Sequence, residues 1–97
     1  MKLVTNEIYL KEATKLAEGL MKLQVPFEFR YHMNGVQICV PNHKDCRWDV
    51  ICHDESIGKY DGLLEAAGDI VDIRSKKYDG YGVEGYLTAD EVLARLK

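Results

Sequence analysis

The stretch Phe27 to His53 most constrains the fold, because apolar residues alternate on both sides of an Asn-Gly pair within it. In FEFRYHMNGVQICV the alternation stops at Asn34-Gly35 and resumes afterwards, as a tight hairpin requires. Asn-Gly suits a type I′ turn, whose two central residues both need positive φ. A loop of Asn34 and Gly35 sets Met33 opposite Val36, Tyr31 opposite Ile38 and Phe29 opposite Val40, so these apolar side chains share one face. His32 then faces Gln37, and Arg30 faces Cys39, on the other. The expected hairpin covers 27–40.

Residues 41–47 are polar and aperiodic, and lead as a loop into a strand over 48–52. Trp48, Val50 and Cys52 take its core face, and Asp49, Ile51 and His53 take the other. A short return makes an antiparallel meander the simplest arrangement. Upstream, Tyr9, Ala13, Leu16, Ala17, Leu20 and Leu23 recur at helical spacing and predict an amphipathic helix over 7–24. Asn6 or Thr5 caps it, Pro26 prevents continuation, and Gly19 marks close packing against the sheet. This helix covers the apolar face of the hairpin.

Downstream the pattern changes. Tyr60, Leu63, Leu64 and Ala67 predict a second helix over 58–67, Ile70 to Ile73 a short extended segment, and 74–85 an exposed turn. Thr88 and Glu91 form a capping box that opens a last helix over about 89–96. The expected fold is therefore α+β: a small three- or four-stranded antiparallel sheet (hairpin 27–40 plus strand 48–52), an N-terminal helix and two further short helices. One domain spans 1–97, long enough for a single core.

A chain that is 46% hydrophobic and 30% charged is globular rather than disordered. Its apolar runs fall far short of the roughly 20 residues that span a bilayer, and Met1-Lys2 leads into polar Thr5-Asn6-Glu7 rather than a signal peptide. A cytoplasmic protein with reduced thiols is expected, since cysteines at 39, 46 and 52 make no secreted disulfide framework. The net charge of −3 conceals an acidic C-terminal half. No long basic stripe favours nucleic acid, and Arg74, Lys76 and Lys77 read as a solvated turn between Asp72 and Asp79.

Cys39, His43, Cys46 and either Cys52 or His53 are suitable zinc ligands close in sequence, but their spacing repeats no known knuckle. Against a zinc-stabilised domain stands a plain assignment: Cys52 in the core, Cys39 a small residue on the second sheet face, His43 solvated. Cys46 beside His43, Lys44 and Arg47 offers a thiol enzyme, with no oxyanion loop to support it. Asp54-Glu55 reads as solvated, Asp90-Glu91 as part of the cap. Gly80, Gly82 and Gly85 match no phosphate-binding motif. Tyr60, Tyr78, Tyr81 and Tyr86 exceed what the C-terminal core needs, and tyrosine with glycine suits adaptable contact surfaces.

The segments WDVICH, GLLEAAGDIV and VEGYLTADEVLARL resemble small accessory proteins of phages and mobile elements in Gram-positive bacteria. That resemblance covers about the last half of the chain. It implies binding to a host or phage macromolecule and transfers no active-site residue. The expected function is a non-enzymatic protein-binding module (regulator, adaptor or inhibitor) without a cofactor, using Tyr78, Tyr81, Glu84 and Tyr86, with homodimerisation through an exposed sheet edge as a further expectation.

Overall fold

In the computed structural model, which describes residues 6–97, α1 (Glu7–Lys22) lies over a five-stranded antiparallel sheet whose strands follow chain order. The strands are β1 (Glu28–His32), β2 (Gly35–Val40), β3 (Trp48–Cys52), β4 (Leu64–Gly68) and β5 (Val83–Leu87). A 3-10 turn, Lys59–Asp61, joins β3 to β4, and α2 (Ala89–Ala94) packs against α1. No helix among the described residues is long and apolar enough to cross a membrane.

The Asn6 side chain accepts the Ile8 N–H and caps α1, while Tyr9, Ala13, Leu16 and Leu20 form its buried stripe. Thr5, the alternative cap, lies outside the described residues. The helix stops before Pro26 has any effect. Gln24 takes a left-handed φ of 58°, its N–H bonds the Met21 carbonyl, and the Val25 N–H bonds the Leu20 carbonyl. That is a Schellman stop built on glutamine. Gly19 packs against Leu93 of α2 rather than against the sheet.

One face of the sheet meets the helices. Val36, Ile38, Val50, Cys52, Leu64, Ala66 and Leu87 are fully or almost fully buried there, with Leu16, Leu20 and Val92 packed above them. Each buried Val, Leu or Ile among them contributes about 1.5–3 kcal/mol over an exposed one. Strand β3 alternates buried and half-buried residues as expected, and the capping box at Thr88 and Glu91 is present.

The hairpin register is displaced by two residues. Tyr31 faces Val36, Phe29 faces Ile38, Arg30 faces Gln37 and Glu28 faces Cys39. Met33 and Asn34, with φ of 50° and 61°, are the turn. Because the displacement is even, Phe29, Tyr31, Val36, Ile38 and Val40 keep their face. Met33 leaves the ladder, and Tyr31, at the sheet margin, is 56% exposed rather than core. Gly35 cannot move back into the turn: a Cβ there would press into the Cys52 carbonyl and stand 2.6 Å from His53 Cα. Close approach, rather than positive φ, requires this glycine.

The expected helix over 58–67 does not form. Gly58 and Gly62, both left-handed, close the short 3-10 turn between them, and the chain then pairs with β3 from Leu64 onward. Leu64 and Ala66 point inward while Glu65 and Ala67 point outward, a period of two. An unpaired β3 beneath α1 would leave buried backbone groups unbonded, and satisfying them outweighs the helical bias of LLEAA. No strand forms over 70–73, where Ile70 and Ile73 lie in turns and Val71 and Asp72 join them. The stretch 74–85 is ordered against β5: Tyr78 bridges Glu84, the Asp79 N–H bonds Val83, and the Gly85 N–H bonds Lys77.

Candidate functional site

Three exposed hydrophobic residues frame the 3-10 turn. Tyr60, at its centre, is 83% exposed. On one side Tyr86 packs against Gly58, where a Cβ would stand 3.3 Å from Tyr86 Cα and Cδ1. On the other, Ile8 packs against Gly62, where a Cβ would stand 3.3 Å from Ile8 Cγ2. Tyr86 is 51% exposed and Ile8 49%, so the start of α1, the turn and the end of β5 contribute to one surface.

Tyr86 is held in an unusual conformation to do so. Pairing passes from Ala66 opposite Glu84 to Leu64 opposite Leu87, which leaves an extra residue in β5, and Tyr86 takes a φ of 57°. A left-handed L-residue costs roughly 1–2 kcal/mol, and bulges of this kind redirect a side chain. The surrounding contacts fix it: Lys77 Nζ donates to the Tyr86 carbonyl at 2.8 Å and to Glu91 Oε1 at 2.8 Å. Lys77 also holds the Glu91 carboxyl below its usual range. Lys77 is thus a structural cation, not a member of a solvated basic turn.

Asp54 fixes the other side. Its carboxylate accepts the Tyr9 hydroxyl at 2.9 Å and Asn34 Nδ2 at 2.7 Å, and Lys59 Nζ donates to its backbone carbonyl. These hydrogen bonds, Asn34 foremost, lower its pKa. Asp54 therefore ties α1, the hairpin turn and the 3-10 turn together instead of being solvated. Lys59 Nζ lies 5.1 Å from the Tyr60 ring centroid, within cation–π range.

Of the residues expected to bind a partner, Tyr86 belongs to this surface. Tyr81 is 92% exposed but lies in the turn before β5, at the far end of that strand from Tyr86. Tyr78 is half-buried at its bridge to Glu84. Glu84 is corrected outright: it is fully buried, receives Arg95 Nη1 and Nη2 at 2.5 and 2.7 Å, and accepts the Asp72 N–H. Arg95 and these bonds hold its carboxyl down at about 2. Tyr60 counts among the surplus tyrosines of the sequence, but its place in a helical stripe kept it out of the expected contact residues, and Ile8 gave no signal at all. The glycines flanking Lys-Tyr-Asp were the available signal.

Of the expected metal ligands, Cys39 and Cys46 come within side-chain hydrogen-bonding reach of each other, but the full set does not assemble. Cys52 faces α1 alongside Val36, whereas Cys39 faces away from the helices opposite Asp49. Burial pushes both thiols up to about 11. Cys46 is exposed and donates to the Trp48 carbonyl, and among the described residues no hydrogen bond joins it to His43, whose N–H bonds Glu28. No group of three or more metal-ligating side chains comes together among the described residues.

On the face away from the helices, His32 and His53 stack edge to face at 5.5 Å across Gly35. Burial, followed by His32, pushes the His53 pKa down. Arg30 donates to Gln37, and Gln37 donates to Asp49, completing a polar row beside them. A groove of about 290 Å³ lies beside the α1–α2 contact, lined by Gly19, Leu23, Asp90 and Leu93 among others. Compared with family models, curated proteins and solved structures, the chain matches none of them.

Proposed function

We propose that this chain is a small protein-binding module, a regulator, adaptor or inhibitor of phage or mobile-element type, whose contact surface is Ile8, Tyr60 and Tyr86. The observation that carries the reading is Tyr86: a left-handed tyrosine at a bulge, locked by Lys77 and presented outward. Strain of this kind persists only where surrounding structure over-determines it, and it clusters at sites of function. Tyrosine supplies a large amphipathic contact area at low entropic cost, and such anchors dominate binding energy. Glu7 and Asp61, adjacent in sequence to Ile8 and Tyr60, are exposed. They suit a partner with an apolar pocket and a basic rim.

The test compares capture by the wild-type chain with capture by a Tyr60→Ser/Tyr86→Ser variant, followed by calorimetry with the purified captured protein. Loss of at least about 30-fold in affinity with folding intact supports the surface, in line with two anchors worth about 1 kcal/mol or more each. Undiminished binding assigns recognition elsewhere.

A further inference from the structure

The two edges of the sheet are treated differently. β5 is covered by its own chain, through the bonds of Asp79 to Val83 and Gly85 to Lys77. Among the described residues, β1 pairs only with β2. In a hairpin with a two-residue turn, His32 and Gly35 form the first hydrogen-bonded pair, so Glu28, Arg30 and His32 direct their backbone groups toward β2. Phe29 and Tyr31 direct theirs outward, and among the described residues no backbone bond outside the β1–β2 ladder involves either.

We infer that this edge pairs with the same edge of a second copy, antiparallel, about a two-fold axis at Phe29. The register follows from charge. With the axis at Phe29, Glu28 of each copy faces Arg30 of the other on the face away from the helices. Phe29 meets its own counterpart, and Tyr31 meets Phe27, on the helix-bearing face. The outward backbone groups of Phe29 are then in phase to exchange hydrogen bonds with those of the other Phe29. Pro26 falls opposite His32, at a position whose N–H the new ladder does not use. Moving the axis to Arg30 would set the two arginines against each other, which directly opposed strands penalise. Glu28 remains available: His43 occupies only one carboxylate oxygen. Each side thus presents the same self-complementary strip, as a two-fold interface demands. This edge is separate from the Ile8, Tyr60 and Tyr86 surface, so either assignment stands or falls alone.

Sedimentation equilibrium over roughly 5–500 µM tests the inference, since an edge contact this small associates weakly. The mass should rise from 11.1 kDa toward twice that value. Arg30→Glu, which opposes carboxylates across the axis, should weaken association about tenfold or more, and Glu28→Arg added to it should restore the dimer. Circular dichroism and thermal melts confirm folding of each variant, because Arg30 also bonds Gln37. A wild-type mass that stays at the monomer value throughout overturns the inference. So does a dimer that the double charge swap fails to restore.

Discussion

Glu84 is a strand carboxylate without solvent, and it stays ionised because Arg95 meets both of its oxygens. Folding lowers its pKa from an ordinary 4.5 to about 2, so the folded chain binds this proton less readily than the unfolded chain. The stability it adds is complete above about pH 4.5 and is lost as pH falls toward 2. Glu84→Gln should lower stability by about 3 kcal/mol at pH 7, the scale for breaking a buried ion pair. Urea unfolding should show the gap from wild type narrowing between pH 4.5 and 2; a constant gap would contradict the assignment. The thiols make a parallel case. Cys39 and Cys52 are buried with pKa values near 11, whereas Cys46 is exposed. Iodoacetamide at pH 8 should therefore add one adduct to the folded chain and three in denaturant, read by intact mass. Early appearance of a second native adduct would refute the buried placement.

Elements were legible where local pattern and tertiary demand agree. The α1 stripe, strand β3 and the Thr88 cap follow from spacing alone, since the same residues satisfy both periodicity and packing. In the hairpin the alternation fixed the face but not the register, because a displacement of two leaves every side chain on its face. Asn34-Gly35 would make the better local turn, yet Gly35 is needed where β2 passes His53. Strand β4 was illegible for a related reason: LLEAA carries helical bias, and only the unpaired edge of β3 overrides it. The two hairpin registers predict opposite signs for Met33→Asn. With Met33 in the turn at φ 50°, asparagine tolerates the left-handed backbone better and should stabilise the fold by up to about 1 kcal/mol. With Met33 in a core strand the same change would cost stability. Chemical denaturation decides between them.

Over the whole molecule, the candidate surface was half legible. Tyr86 stood out as an aromatic among glycines, but its juxtaposition with Tyr60 and Ile8 depends on two glycine-backed contacts from elements far apart in sequence. Glu84 looked like its neighbour and proved to be core, because the bulge changes the side-chain alternation between the two. That bulge makes a trade-off measurable. If Tyr86 is retained for contact at the expense of backbone strain, removing the ring and removing the strain must separate. Tyr86→Ala discards the ring and keeps a left-handed L-residue, whereas Tyr86→Gly discards both. Glycine at this position should therefore be more stable than alanine by about 1 kcal/mol, a reversal of their order in an ordinary strand. Both variants should lose the captured partner equally, because neither presents the ring. Equal stability of the two would mean that the φ of 57° carries no strain, and retained binding by either would remove Tyr86 from the contact surface.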